Sequence, residues 1–372
     1  MHSQDISAPV SHRNLTGLIG QLHTLSVPVA AVLLGALIGA IILAAHGANP
    51  FKAYAALLQG AFGTIIAVGR TFEKTTPLIF SGLAVAFAFK AGLFNIGAQG
   101  QLLFGALAAA IVGYGLNGLP MIIHLPLALF AGAAAGALYA AIQGALRVYT
   151  GAHEVITGIM LNYVAINLTD YLAGGPFKDP TPGNIIARTP LILDSSKITD
   201  IGGLPTGFIV ALMAAAAVWW LVKQTTAGFE IRTVGLNVHA AGYAGIKVSQ
   251  TMILAMALGG LLAGLGGAVE TLGVVHRYQP GFNVGLGFDG ITIALLARTH
   301  PLGVIPAALL VGAMKAGSNQ MQFSAGVAIG IIDVVLALIL FFVAAELVVR
   351  WLIRSKPAAG EKITFSAGWG KK

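Results

Sequence analysis

The sequence predicts an all-α, polytopic membrane protein, and three observations support this fold class: the composition, the length of the apolar runs and the spacing of the glycines. Of 372 residues, 57% are hydrophobic and only 9% are charged, with a mean hydropathy of +0.85. Soluble domains carry about a quarter charged residues, so this chain belongs in a bilayer. The 49 glycines include small-xxx-small spacings at 35–39, 132–136 and 260–264, which let transmembrane helices pack closely.

The apolar runs predict about ten crossings, since about 20 residues span a bilayer. In order, they are 27–46, 51–69, 76–89, 102–114, 125–146, 155–173, 208–222, 252–275, 291–297, 302–314 and 327–349. The run 51–69 contains Lys52 and Gln59 and is mild enough to lie at the membrane interface. The run 291–297 is too short alone and must borrow residues 284–290. We therefore expect a transmembrane domain at 27–349, preceded by a polar cytoplasmic segment at 1–26.

Lysine and arginine in the short loops predict the orientation, because such residues concentrate on the cytoplasmic side. The loop 223–250 contains Lys223, Arg232 and Lys247 against Glu230, and the tail 350–372 is basic. Both are expected in the cytoplasm. The Pro/Gly-rich loop 173–208 has balanced charges and is expected outside, which agrees with the single crossing between it and 223–250.

A polar break interrupts the apolar sequence at F-N-I-G-A-Q-G-Q, residues 94–101. Polar groups at membrane depth are tolerated only when they are buried in protein or line a wet cavity, and interrupted helices often present such groups to a solute. A similar stretch, F-N-V-G-L-G-F-D-G, occupies 282–290. It is either an internal repeat or a coincidence in a glycine-rich chain. The candidate solute-path residues are Asn95, Gln99, Gln101, Asn162, Asn283 and Asp289.

Ionisable residues inside apolar runs are expensive and indicate function by default. In this chain they are Lys90, Asp170, Glu270, Asp289, Lys315 and Asp333. One interpretation is that Lys315 pairs with Asp289 or Asp333 and fixes helix packing; the other is direct contact with a ligand. Tyr163 and Asn167 stand four residues apart and share a helix face, whereas Asn162 points about 100° away from Tyr163. That face either lines a cavity or bonds a neighbouring helix.

Several functional classes are excluded by missing motifs. No P-loop is present, so ATP must be hydrolysed on another polypeptide, and we expect no enzymatic activity and no cofactor. The G-x-G-x-x-G at 285–290 follows no strand, and the H-E at 153–154 lacks the second histidine of a zinc site. We predict no metal. The net charge of +8 is scattered rather than massed on one face, which argues against nucleic acid.

The loop at 225–246 predicts a compact cytoplasmic helix. Asn237 can cap a helix at 238–244 that ends at Gly245. A short helix at this face suits docking into another protein, although a plain surface helix has the same composition.

Four motifs in order give the chain a family resemblance: the break at 94–101, H-E-V-I-T-G-I-M-L-N-Y at 153–163, R-T-V-G-L-N-V-H-A-A at 232–241, and D-G-I-T-I-A-L-L-A-R-T-H-P-L-G at 289–303. With them, residues 47–345 resemble the membrane permease subunit of bacterial ABC importers for nucleosides and simple sugars. The stretch 49–63 is similar to the longer of two nucleoside-importer permeases. Family members usually have Glu where Gln99 stands, which puts the role of that charge in doubt.

The resemblance implies three protein partners: a second permease subunit, a cytoplasmic ABC ATPase and an extracytoplasmic solute-binding protein. It also implies a multi-pass location in the bacterial cytoplasmic membrane. The residues it assigns to coupling with the ATPase are Arg232, Gly235, Asn237, Ala240, Ala241 and Gly245. The expected function is inward passage of nucleosides. The alternatives are a ribose-like sugar, or a proton-driven carrier that uses Asp170, Glu270 or Asp333.

Overall fold

A computed structural model describes residues 13–200, 202–281, 285–328 and 330–344, and every long regular element in these ranges is a helix. In order they are α1 Arg13–Ala45, α2 Pro50–Phe62, α3 Ile65–Lys90, α4 Ala98–Gly115, α5 Met121–Ala145, α6 Glu154–Gly174, α7 Thr206–Gln224, α8 Thr226–Leu236, α9 Val238–Tyr243, α10 Val248–Glu270, α11 Leu286–Leu296, α12 Val304–Ala325 and α13 Gly330–Ala344. The predicted tail 350–372, residues 1–12 and Asn283 lie outside the described residues. The all-α prediction is confirmed for the described part.

Six of the described helices are long and apolar enough to cross a membrane, or seven if the bent pair α1 and α2 counts as one span. The predicted count of about ten is therefore not confirmed. One reason is the run 51–69, which is not one segment, because α2 turns by 119° from α1 and ends at Phe62. A second reason is α11, which has 11 residues and is too short to span.

Helix α10 lies at the centre of the molecule and packs closely against α3, α4 and α5 through small residues. Two of the predicted small-xxx-small spacings meet here, and a Cβ on Gly136 would come within 2.3 Å of the Gly260 carbonyl oxygen. A Cβ on Gly105 of α4 would lie 2.2 Å from the Gly264 carbonyl oxygen. Backbones this close leave no room for side chains, which explains the glycines at these positions.

The loop between α6 and α7 is pinned over one end of the helices by backbone hydrogen bonds. The Thr189 amide donates to the Tyr278 carbonyl at 2.9 Å, and the Leu193 amide donates to the Gly113 carbonyl at 2.9 Å. The loop that contains α8 and α9 lies at the other end of α7, which is one of the six candidate spans. The two loops thus occupy opposite ends of one crossing, as the charge pattern requires.

Candidate functional site

The polar break is real: α3 ends at Lys90, α4 begins at Ala98, and the residues between them form no helix. Asn95, in this segment, is fully buried beside α10, where its amide nitrogen would lie 3.3 Å from a Cβ on Gly259. Gly259 comes about 16 Å after the start of α10 at 1.5 Å per residue, in a hydrocarbon layer of about 30 Å. The break therefore lies beside the midpoint of α10, one of the candidate spans.

Side-chain amides satisfy one another inside the break. Asn95 and Gln101 exchange two hydrogen bonds, each of 2.9 Å. Gln101 Nε2 also donates to Gln143 Oε1 at 3.3 Å, and Gln143 Nε2 donates to the Glu154 carbonyl at 3.0 Å. This network ties the break to α5 and to the start of α6. Sequence reasoning missed Gln143, although the same signal, an amide inside an apolar run, would have found it.

Two helices, α4 and the short α11, begin next to each other in this region, and amides from elsewhere in the chain cap both of them. The amide of Gly100, in the first turn of α4, donates to Asn162 Oδ1 at 2.8 Å, and Asn162 Nδ2 donates to the Ile96 carbonyl at 2.9 Å. The amide of Gly287, in the first turn of α11, donates to Gln99 Oε1 at 2.8 Å. The first amides of a helix have no intrahelical partner, so these side chains replace water in the bilayer.

The starts of α4 and α11 occupy equivalent positions in the two similar stretches. The residue before each helix is the glycine of F-N-I-G or F-N-V-G, and neither Gly97 nor Gly285 provides a side-chain cap. A Cβ on Gly287 would lie 2.3 Å from the Gln99 backbone nitrogen, so the two helix starts are in direct contact. This placement favours the internal repeat over coincidence.

The far end of α11 is also attached to the break. Lys90 Nζ, at the end of α3, donates to Thr299 Oγ1 at 2.9 Å. Thr299 and the preceding Arg298 have positive φ angles of 56° and 49°. This conformation is uncommon for any residue other than glycine and is rarest for a β-branched residue such as Thr299. Lys90 and Gln99, on either side of the break, thus hold the two ends of one short helix.

The predicted pairing of Lys315 is confirmed for one of its two candidate acids. Lys315 Nζ lies 2.8 Å from Asp289 Oδ2, which joins α12 to the first turn of α11. Asp333 lies in the first turn of α13 and is exposed. The ion pair fixes α11 against α12, in keeping with the packing interpretation.

Candidate path residues on α6 divide between opposite faces of that helix. Asn162 is 3% exposed and belongs to the amide network, whereas Tyr163 is 63% exposed and Asn167 is also exposed. The amides of Asn95, Gln99, Gln101 and Asn162 all bond within the protein. Their place in the solute path remains a prediction. In the described ranges no group of three His, Cys, Asp or Glu residues could hold a metal ion.

The loop that contains α8 and α9 folds as the sequence predicts, with α9 one residue shorter than expected. Asn237 Oδ1 accepts the Ala240 amide at 3.0 Å and caps α9, and Gly245 follows with a φ of 83°. Most of α9 projects from the protein, and only Ala241 is buried. Tyr243 is 95% exposed and the neighbouring Leu236 is 78% exposed. This exposed apolar surface suits a protein partner.

Gly235 connects this loop to the break. A Cβ at that position would lie 2.1 Å from the Lys90 carbonyl oxygen and 3.0 Å from the Ala91 carbonyl carbon. The end of α8 therefore rests directly on the backbone where α3 ends and the break begins. A displacement of α8 and α9 must move that backbone.

A family model described as "Branched-chain amino acid transport system / permease component" matches residues 67–345 of this chain. The chain is 43% identical to the guanosine ABC transporter permease protein NupP of Bacillus subtilis over 343 residues, which cover 90% of this chain and 97% of NupP.

Two further relatives bear on specificity and on assembly. The glucose ABC transporter permease protein TsgB13 of Haloferax volcanii is 34% identical over 88% of this chain and 89% of its own length. A second guanosine permease protein of B. subtilis, NupQ, is 27% identical over 66% of this chain and 80% of its own length. One organism thus has two guanosine permease proteins that are both similar to this chain.

Proposed function

The chain belongs to the branched-chain amino acid transport system permease component family, and we propose that it is the permease subunit of an ABC importer that passes nucleosides into the cell. It is a multi-pass membrane protein. The observation that carries the proposal is the similarity to a guanosine permease along nearly the whole of both chains. The buried polar break supports it, because interrupted helices at mid-membrane are typical of transporters for polar solutes.

The energy for transport comes from a partner ATPase, since the sequence has no P-loop of its own. The exposed α9 docks on that ATPase, and nucleotide binding there displaces α8. Gly235 transfers the displacement to Lys90 and the break, and the contacts of Lys90 and Gln99 transfer it to α11. Helices α4 and α11 then move together and open the path to one side of the membrane at a time.

The predicted path residues have a positioning role in this mechanism. Asn95, Gln101 and Asn162 hold the break, and Gln99 holds the start of α11. Asp289, through Lys315, holds the same short helix against α12. Together these residues position the starts of α4 and α11 at the edge of the solute path.

The complete importer contains a second permease, a cytoplasmic ABC ATPase and an extracytoplasmic solute-binding protein. The occurrence of two similar guanosine permease proteins in B. subtilis supports a permease pair. We assign the chain to the bacterial cytoplasmic membrane with its C-terminus in the cytoplasm. We propose about ten crossings for the whole chain: the candidate spans, α3, α13 and one crossing that α11 forms together with its neighbouring residues.

Uptake by the reconstituted importer tests this function. The vesicles contain the chain and its partner permease, with the ATPase on the inner side and the binding protein outside. They should accumulate labelled guanosine only when ATP is enclosed in the vesicle lumen. Uptake in vesicles without the ATPase, driven by a proton gradient, would instead support a carrier that uses Asp170, Glu270 or Asp333. That result would overturn the proposal.

The role of α9 has its own test. Deleting residues 238–245 should abolish the stimulation of the partner ATPase by loaded binding protein while the chain still inserts. The substitution Tyr243→Ala should weaken the stimulation, and Phe323→Ala, at an exposed aromatic residue beyond the opposite end of the bundle, should not. Unchanged stimulation in the deletion variant would remove the coupling assignment.

A simple sugar is the second candidate solute, favoured by the 34% identity to a glucose permease. Competition distinguishes the two. Unlabelled adenosine and uridine should block guanosine uptake and ribose should not, whereas inhibition by ribose alone would favour the sugar.

A further inference from the structure

Helix α6 is the least buried of the six candidate spans, with 22% of its apolar window inside the protein. One narrow stripe contacts the rest of the chain. Its buried residues are Glu154, Gly158, Asn162, Ala165, Thr169 and Ala173. They recur every three or four residues, so they occupy one side of the helix and leave the other side open.

The centre of the open side is polar, although the helix crosses the membrane. Tyr163, Asn167 and Tyr171 follow one another at intervals of four residues and therefore lie on one face, which we call the α6 stripe. Tyr163 is 63% exposed and Tyr171 is 68% exposed. Asn167 Nδ2 donates to the Tyr163 carbonyl at 2.7 Å, and its side chain remains exposed.

The depth of the α6 stripe argues against lipid as its surroundings. Tyr163 comes about 14 Å after the start of α6 and Asn167 about 20 Å after it, so both lie away from the cytoplasmic interface and Tyr163 is near mid-membrane. Tyrosines that face lipid concentrate at the two interfaces, and an amide in hydrocarbon is unfavourable. Tyr163 and Asn167 therefore face water or another protein, whereas Tyr171, about 26 Å after the start of α6, lies near the far interface.

The residues beside the α6 stripe indicate whether it faces water, another protein or both. Ile159 and Ile166 flank it on one side, and Val164 and Leu168 flank it on the other; all four are exposed. Apolar borders can pack against a partner helix, and the polar stripe between them can then line a water-filled gap. The partner that fits is the second permease of the importer.

The shape of this face fits a small solute that is covered from the other side. Tyr163, Val164, Asn167, Leu168 and Tyr171, all on α6, line a nearly flat, open surface. Small-molecule sites enclose most of their ligand, so this surface alone cannot form one. A second wall, supplied by the partner permease, completes it.

We propose that the α6 stripe lines the solute path and that the base of a nucleoside stacks first on one of the Tyr163 and Tyr171 rings and then on the other, while the Asn167 amide bonds its edge. Aromatic rings accept any base by stacking, and an amide can both donate to and accept from a base edge. The two rings are about 12 Å apart along the helix, which makes them successive stations with the amide between them. This inference rests on the proposed nucleoside function.

Thiol labelling tests the exposure of the stripe to water, and the chain suits it because it contains no cysteine. Single variants Tyr163→Cys, Asn167→Cys and Tyr171→Cys are made in the complete importer in membrane vesicles. The controls are Phe130→Cys and Leu138→Cys on α5, whose native side chains are 70% and 71% exposed but have apolar surroundings. A charged methanethiosulfonate should label the stripe at least about ten times faster than the controls, and guanosine should slow the labelling. Equal rates at stripe and control positions would overturn the proposal.

Transport kinetics test base stacking separately. Tyr163→Phe keeps the ring and should leave the KM for guanosine uptake within about two-fold, whereas Tyr163→Ala should raise it about ten-fold, the loss of one ring contact. A KM that is equal in the two variants would contradict stacking. If the unaltered importer takes up ribose and not guanosine, the nucleoside function fails. If it takes up guanosine and the stripe is not labelled, only the present inference fails.

Discussion

The break at 94–101 and the open face of α6 both place polar side chains in the membrane, and they differ in how those side chains are satisfied. In the break, Asn95, Gln101 and Asn162 are at most 3% exposed and bond to one another or to the backbone. On α6, Tyr163 and Asn167 are exposed to the surroundings of the protein. Polar residues at membrane depth thus have two separate uses: satisfied groups build the scaffold, and open groups meet a solute.

The difference has an energetic reason. Each buried polar group without a partner costs about 1–3 kcal/mol, so a break in a membrane helix requires a complete set of internal bonds. Asn95 and Gln101 are at most 1% exposed, so a passing solute reaches them only if the network opens. We therefore expect the break to determine folding and movement, and the α6 stripe to determine recognition.

The largest expected effect is on stability, and it comes from comparing Asn162 with Asn167, two asparagines on α6. Asn162→Leu removes the partners of the Gly100 amide and the Ile96 carbonyl, and should destabilise the protein by about 2–6 kcal/mol. Thermal unfolding of the purified protein in nanodiscs measures this loss. Asn167→Leu is the matched control and should unfold at the temperature of the unaltered protein. Equal losses in both variants would remove the distinction between scaffold and path.

A substitution at Gly235 tests whether the break moves with the loop that contains α8 and α9. Gly235→Ala places a methyl group against the Lys90 backbone, so α8 must shift away from the break. ATP-driven uptake should fall about ten-fold, a barrier change of about 1.4 kcal/mol, with the chain still folded. Gly115→Ala is the control, because no atom lies within 4 Å of its added Cβ. Full uptake by the Gly235 variant would separate the loop from the break.

The Asp289 and Lys315 pair tests the support of α11. Lys315→Met leaves the carboxylate without its cation and should cost about 1–3 kcal/mol of stability. Adding Asp289→Asn removes the unpaired charge and should recover part of the loss, since the two residues are in contact. A double-mutant cycle on unfolding free energies gives the coupling. Additive losses would show that the pair does not support α11.

The smallest expected effect concerns the exchange of the Gln99 amide for a carboxylate. A carboxylate can still accept the Gly287 amide, and a negative charge at a helix start is favourable, so Gln99→Glu should change stability by less than about 1 kcal/mol. Gln99→Leu removes the acceptor and should be clearly less stable by the same unfolding measurement. If the two variants were equally destabilised, capping of α11 would not be the role of this side chain.

Much of the architecture was predictable because local signals determine it. The break follows from the amides at 94–101 within an apolar sequence, and α9 follows from Asn237 and Gly245. The pairing of Lys315 with Asp289 follows from the cost of a lone charge in a span. Helical periodicity alone placed Tyr163 and Asn167 on one face and Asn162 about 100° away from Tyr163.

The rest depends on contacts between distant parts of the chain. Gln99 bonds a residue 188 positions away, and Asn162 bonds one 62 positions away, so no local pattern shows that these amides are satisfied internally. The predicted count of about ten crossings is not confirmed, for a similar reason. Residues 51–62 turn by 119° away from α1, a direction set by packing against α12 and not by hydropathy.

A structure of the complete importer with a nucleoside trapped in transit is the most direct test of the division between scaffold and path. The account predicts the base against Tyr163, Asn167 or Tyr171, between α6 and the second permease, with the bonds between Asn95 and Gln101 intact. A base held by Asn95, Gln99 or Gln101, with those bonds opened, would contradict it.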